Sequence, residues 1–272
     1  MMARSRLLEL KKPIIGMVHL PPLPGSPGYR GNPLEEIVRF AVREAKALEE
    51  GGIDAILIEN FHDYPYPLEK VPTPTLIAMA VVAQQVKEET NVPVGVNLLF
   101  NDFENELYLA WCLGLDFIRV EGFVDLLFSD MGPLFPAAPK LMRLKQELGA
   151  EGVAILADVQ GKYTQAFPAR DVADSARDAI ERGRADAVVL TGARTGQTAP
   201  LEMVRHLKSE LPAARVLLGS GITPEMVADF LGVADGAIVG SYFKYEGNVH
   251  NPVDPERVRR LMEAARKARG RR

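Results

Sequence analysis

The sequence predicts one (β/α)₈ barrel spanning residues 1–272, on three observations. Eight short apolar runs rich in β-branched residues recur along the chain, a helix-period pattern follows each, and the last two runs end in glycine-serine turns. Non-alternating runs of this kind suit strands buried on both faces of a parallel sheet. Strict strand-then-helix order implies parallel strands joined by right-handed crossovers.

The runs are Ile14–Val18, Ala55–Ile58, Val94–Leu98, Phe117–Val120, Val153–Ala157, Ala187–Leu190, Val216–Leu218 and Ala237–Val239. After the first, Leu34, Ile37, Val38, Ala41, Ala45 and Leu48 line one helical face. Asn32 is its expected N-cap, with Pro33 in the first turn, Glu35 completing a capping box, and Gly51-Gly52 as the stop. Asp171 with Asp174 is expected to start the fifth helix. Thr223-Pro224-Glu225 and Asp254-Pro255-Glu256 are expected to start the seventh and eighth. The alternative, an open doubly wound sheet, lacks support. No G-x-G-x-x-G follows the first strand, and no G-x-x-x-x-G-K-[ST] occurs anywhere. Residues 1–11 form an N-terminal extension, and Arg266–Arg272 a basic, solvated tail.

Composition narrows the function classes. A net charge of -4 offers no global basic field for nucleic acid. One cysteine, Cys112, excludes an internal disulfide or a cysteine-cluster metal site, and its apolar surroundings place it in the core. The start lacks a signal-peptide apolar run, and no uncharged run reaches the ~18 residues of a membrane span. A cytoplasmic protein is expected, with peripheral membrane contact left open. A homo-oligomer is expected for a barrel enzyme.

Barrel sites lie at the C-terminal strand ends. The polar residues there are His19, Glu59 and Asn60, Asn97, Arg119 and Glu121, Asp158, Thr191, Ser220 and Ser241. Strand parity selects among them, because a charge beneath a helix is costly to bury whereas one facing the mouth can meet water or substrate. Glu59 continues the face of Ala55 and Leu57, Asp158 that of Ala154 and Leu156, and Arg119 that of Phe117. Asn97 shares its face with Gly95, which leaves room beside it. Asp158 and Glu59 are therefore the acid and base candidates, Arg119 the substrate-orienting cation, and Asn97 and His19 hydrogen-bonding groups. A purely structural ion-pair cluster is the competing reading.

Gly219-Ser220-Gly221 and Gly240-Ser241 close the seventh and eighth strands. Glycine lets backbone N–H groups approach an anion, and this is the usual phosphate position of such barrels. A small phosphorylated metabolite is the expected ligand. Arg194, in the loop Thr191–Thr198, is a candidate clamp over the anion or a solvated side chain. The loop 21–31, dense in proline and glycine, reads as a wall or lid on the mouth. His62 and Asp63 offer proton transfer, but no metal-site spacing accompanies them, and no metal or cofactor is expected. The segment Gly122–Pro139 is unusually apolar, reading first as a lid or subunit interface and second as a membrane or partner surface.

Several stretches resemble the BtpA family. They are Lys12–Pro27, Glu59-Asn60-Phe61-His62-Asp63-Tyr64-Pro65, Gly95–Leu99 with Asn101-Asp102, Phe117–Val120, Ala157-Asp158-Val159 and Ala234–Ser241. The resemblance covers nearly the whole chain. It implies a fold similar to the ribulose-phosphate-binding barrels, and it admits either a phosphosugar enzyme (lyase, isomerase or nucleosidase-type) or a photosystem I biogenesis factor. The chain departs from the family pattern after Val120, where it reads Glu121-Gly122-Phe123 in place of an Asn-x-His-like stretch. It departs again after Val159, where Gln160-Gly161-Lys162-Tyr163 replaces a Lys-His-like one.

Overall fold

The computed structural model describes residues 4–159, 161–192 and 194–270. The first three residues of the extension, Gln160 of the Asp158 motif, Ala193 of the Thr191–Thr198 loop and the last two arginines of the tail lie outside them. Eight parallel strands close into a barrel. They are β1 (Ile14–His19), β2 (Ala55–Glu59), β3 (Val94–Asn97), β4 (Phe117–Val120), β7 (Ala154–Val159), β9 (Ala187–Leu190), β10 (Val216–Leu218) and β11 (Ala237–Val239), with β11 returning to β1. Each expected run is a barrel strand. Three further strands, β5 (Leu127–Ser129), β6 (Gly132–Leu134) and β8 (Thr164–Ala166), form a separate antiparallel sheet in the order β6-β5-β8. Its strands β5 and β6 come from the middle of the apolar Gly122–Pro139 segment.

The helices α1 (Leu34–Glu50), α2 (Thr73–Glu89), α3 (Phe103–Leu113), α4 (Ala138–Glu147), α5 (Val172–Arg177), α6 (Leu201–Glu210), α7 (Val227–Val233) and α8 (Pro255–Gly270) surround the barrel. The capping expectations divide. Asp171 accepts from the Ala173 N–H at 2.8 Å, and Asp254 from that of Glu256 at 2.9 Å, satisfying first-turn donors at α5 and α8. Asn32 does not cap α1. Pro33 occupies that position, and its carbonyl accepts from Glu36 and Ile37. The Thr223-Pro224-Glu225 segment forms a turn, and α7 begins only at Val227. The tail is helical through Gly270, where Arg269 pairs with Asp54. Cys112 is exposed, on the outer stripe of α3 with Tyr108 and Trp111.

Two apolar layers hold the barrel. The larger lies between strands and helices. The smaller fills the barrel itself with Ile15, Met17, Ala55, Leu57, Phe117, Ala154, Leu156, Ala187, Val189, Leu217 and Ile238. Leu7, from a short 3₁₀ turn of the N-terminal extension, is buried in this inner cluster, with Leu8 and Leu10 packed against it, so this turn is part of the barrel core. Gly95 has a packing reason to be glycine. A Cβ there would stand 2.5 Å from the Phe117 ring, so the room beside Asn97 is filled by an aromatic side chain.

Candidate functional site

Register explains how the mouth is assembled. Met17 pairs with Leu57, Leu57 with Gly95 and Gly95 with Phe117, all on the inner face. Two residues further along, His19 pairs with Glu59 and Glu59 with Asn97. Arg119 pairs with Leu156 and Asp158 with Val189, both members of the inner cluster. Strand alternation therefore brings His19, Glu59, Asn97, Arg119 and Asp158 to the inner face at the C-terminal end of the barrel.

These five play unequal parts. Arg119 and Asp158 form a buried bidentate pair, Nε to Oδ1 at 2.9 Å and Nη2 to Oδ2 at 2.8 Å. Glu59 lies on the other side of the guanidinium, its Oε2 3.8 Å from Nη1. Its Oε1 faces His19 Nε2 at 3.9 Å. Burial opposes the charge of Arg119, but Asp158, Glu121 and Glu59 outweigh it and hold the guanidinium firmly protonated. Burial raises the Glu59 carboxyl above its ordinary range, against the opposing pull of Arg119. Burial, aided by Lys244 and Lys162, holds His19 well below an ordinary histidine, so the ring is neutral near pH 7. The ring stacks on Phe61 at 4.4 Å, and its Nδ1 has no hydrogen-bond partner among the described residues.

Asn97 lies deeper than a substrate-binding role requires. Its Nδ2 donates to Glu106 Oε1 at 3.0 Å, to the Arg119 carbonyl at 2.9 Å and to Glu121 Oε2 at 3.3 Å. It thus joins two buried carboxylates. Burial raises Glu121 to about 8, and burial with the nearby Glu121 charge raises Glu106 well above its usual range. Parity with Phe117 and Arg119 marks Glu121 as inward-facing. Glu106 was hidden because it sits in the first turn of α3, where an acidic side chain suits the helix N-terminus and ordinarily faces water.

A cavity joins this charged floor to the glycine-serine turns. Its wall includes Met17, His19, Glu59, Phe61, Arg119 and Lys162 on one side, and Gly219, Ser220, Gly221, Gly240, Ser241, Thr195 and Gly196 on the other. Asn97 and Asp158 do not line it. Its free volume is about 20 Å³, room for a single water molecule. A larger cleft of about 990 Å³ lies on the barrel flank between α4 and the turn after α5, away from the converging strand ends.

The glycines are required by close approach. Gly221 has φ +76°, and a Cβ there would meet the Thr198 backbone nitrogen at 2.4 Å. A Cβ on Gly240 would lie 2.8 Å from His19 Cε1. The Ser220 hydroxyl donates to the Gln197 carbonyl, tying the β10 turn to the loop after β9. That loop supplies Thr195 and Gly196 to the wall, whereas Arg194 is exposed and outside it. The proline-rich loop after β1 forms a fixed wall. Leu23 is fully buried and donates to Asp63 Oδ1 at 2.8 Å, and Thr75 Oγ1 donates to the Pro24 carbonyl at 2.8 Å. Asp63 is thereby a structural acceptor. His62 pairs with His250 at 3.0 Å outside the cavity. No group of three or more metal-ligating side chains occurs among the described residues.

Comparison with known proteins agrees with this architecture. The BtpA family model matches residues 10–267. An uncharacterised protein of Methanocaldococcus jannaschii is 40% identical over 257 residues, covering 94% of this chain and 96% of its own. The photosystem I biogenesis protein BtpA of Synechocystis is 36% identical over 256 residues, covering 94% and 88%. Among solved structures, the thiamine phosphate pyrophosphorylase of Pyrococcus furiosus superposes with a TM-score of 0.60 at 14% identity, covering 97% of this chain and all of that one. At that identity the likeness is one of fold.

Proposed function

The chain belongs to the BtpA family, and we propose that it is an enzyme acting on a small phosphorylated, sugar-like metabolite held at the barrel mouth. One observation carries this reading: the Gly219–Gly221 and Gly240-Ser241 turns share a cavity with His19, Glu59 and Arg119. The phosphate lies on backbone N–H groups of the two turns; among the described residues, the Gly219 N–H is engaged by the Leu190 carbonyl. The rest of the metabolite extends over Glu59. A carboxyl raised by burial moves protons near neutral pH more readily than an ordinary one, and Glu59 is the acid-base group. Neutral His19 hydrogen-bonds a hydroxyl. Arg119, fixed by Asp158, presents unchanging positive charge to oxygen atoms that become negative. Asp158 and Asn97 act as positioning residues.

The test is thermal-shift screening with sugar phosphates. Stabilisation that requires the phosphate, and that falls sharply in Gly221→Asp and in Ser241→Asp, is the expected result. Ser241→Asp places like charge beside the anion with less backbone strain. A melting temperature unmoved by every phosphorylated sugar in the parent protein would refute the reading.

A second reading rests on the antiparallel sheet. Phe128 packs edge-on against Phe167 at 5.8 Å, yet both stay about half or more exposed, as does Phe135. Exposed aromatic clusters mark contact surfaces, and a relative is named for photosystem I biogenesis. On this reading the protein assists assembly by docking that sheet on a partner or membrane surface. No helix among the described residues is long and apolar enough to cross a membrane, so contact would be peripheral. Liposome flotation and pull-down with Phe128, Phe135 and Phe167 changed to serine separate the two readings. Association that survives the substitutions counts against the second.

A further inference from the structure

The mouth holds a cation for which the proposed function has no use. Lys162 stands on the loop between β7 and β8, half-buried, and its side chain lines the cavity with His19, Glu59 and Arg119. The other lysines near the barrel are engaged. Lys244 is paired with Glu44 at 2.7 Å and Lys208 with Asp235 at 2.8 Å. Lys162 has no hydrogen bond and no ion pair within 4.0 Å among the described residues. Asp158, the nearest strand-borne acid in sequence, is already bound on both oxygens by Arg119. The loop holding Lys162 is not loose. Thr164 Oγ1 donates to the Gly161 carbonyl at 2.9 Å, closing the turn around it.

The electrostatics act on the amine in one direction. Burial and then the charge of Arg119 lower Lys162 from the ordinary lysine range, against the longer-range pull of Glu59, Asp158 and Glu121. A lysine desolvated beside a second, permanent cation keeps a larger share of neutral, nucleophilic amine. Simple phosphate neutralisation does not need such a device, because a fully charged lysine serves that purpose better.

We propose that Lys162 is a catalytic nucleophile that forms an imine with the carbonyl carbon of a phosphorylated aldehyde or ketone. This rests on the reading of the two glycine-serine turns as the phosphate site. The Nζ lone pair forms the C–N bond while the carbonyl π pair moves to oxygen, which takes a proton from the Glu59 carboxyl. Nζ returns a proton to Glu59, giving a neutral carbinolamine. Glu59 then protonates the hydroxyl, which leaves as water as the nitrogen lone pair closes the C=N bond. The products are a protonated imine, water and the Glu59 carboxylate. No oxidant or metal enters the balance. The iminium withdraws electrons from the adjacent carbon, which is the activation that isomerisation or carbon–carbon cleavage of a sugar phosphate requires.

Borohydride trapping tests this directly. The protein is incubated with dihydroxyacetone phosphate or glyceraldehyde 3-phosphate and sodium borohydride, then mapped by peptide mass spectrometry. Hydride reduces the imine to a stable secondary amine. The expected result is one adduct, on Lys162, with at least about tenfold less from unphosphorylated dihydroxyacetone, and its loss in Lys162→Arg. Glycerol phosphate, which has the phosphate but no carbonyl, should compete with trapping and raise the melting temperature of both the parent and Lys162→Arg. That shift also verifies that the variant folds. No adduct with either compound, or equal labelling of the variant, overturns the nucleophile. If glycerol phosphate still stabilises the protein, the phosphate site survives that failure. An adduct on Lys162 that is indifferent to glycerol phosphate upholds the amine and overturns the phosphate site.

Discussion

At the scale of single residues, the mouth is a set of buried charges that depend on one another. Removing the Arg119 side chain leaves the buried Asp158 carboxyl without the guanidinium that binds both its oxygens. Arg119→Met should cost about 3–5 kcal/mol in urea unfolding, and Arg119→Met/Asp158→Leu should recover most of that loss. Equal instability of the single and double variants would show that packing, not charge, dominates. Glu121 gives a pH signature of known sign. Its carboxyl rises on folding from 4.5 to about 8, so the native state binds the proton more tightly than the unfolded chain. Stability from this group is fully present at low pH and declines as pH climbs through that interval. Glu121→Gln removes the titration and keeps a side chain able to meet Asn97. Its stability relative to the parent should grow between pH 5 and 8 by about 1–3 kcal/mol. A difference that stays flat with pH would show that Glu121 is not protonated in the native protein. Glu59, Arg119 and Asp158 were legible as inward-facing because strand parity is a rule of sequence alone, and His19 because it is the polar residue that ends the first strand. Asn97 was misjudged because parity gives a direction and not a depth. The Phe117 ring and the Glu106 carboxylate, from other elements, decide how deep it lies.

Elements that are buried on both faces announce themselves, and elements that are not stay hidden. The eight barrel strands were legible because their side chains have no solvent face to alternate with. The strands β5, β6 and β8 were not, being three residues each, with Gly132-Pro133 inside β6 and exposure that varies along them. Pro133 is tolerated because β6 is an edge strand. Cys112 was misplaced for a related reason. The apolar stretch of α3 continues past its buried face, so Tyr108, Trp111 and Cys112 fall on the i, i+3, i+4 outer stripe. The N-terminal 3₁₀ turn shows the reverse case, a segment read as an appendage whose Leu7 is 2% exposed inside the barrel. Leu7→Ala should destabilise the whole barrel by about 2–3 kcal/mol in denaturant titration. A change limited to local fraying, with the global midpoint unmoved, would return the extension to the status of an appendage.

For the whole molecule, the decisive quantity is the mismatch between the cavity and its proposed occupant. A free volume of about 20 Å³ admits a water molecule and not a sugar phosphate. The floor cannot yield, since it is made of barrel strands, and the β1 loop is pinned by Asp63 and Thr75. The roof is held more lightly. Its Thr195–Gly196 segment belongs to the loop after β9, and among the described residues two side chains tie it down. Ser220 donates to the Gln197 carbonyl, and the exposed Tyr163 hydroxyl meets both the Thr195 hydroxyl and the Thr195 N–H at 3.3 Å. Bonds of that length at the surface are weak. Binding should therefore be gated by displacement of this loop, and the observed association rate should level off as sugar phosphate concentration rises, because opening becomes limiting. Tyr163→Phe removes the hydroxyl tie without touching the glycine-serine turns. It should raise the plateau rate several-fold and speed amide exchange in residues 194–198, while phosphate-dependent stabilisation persists. Stopped-flow displacement of a fluorescent sugar phosphate measures the first, and hydrogen exchange the second. A rate that climbs linearly in both proteins would mean that the mouth stands open in solution, and the closed roof would then have no part in admitting the ligand.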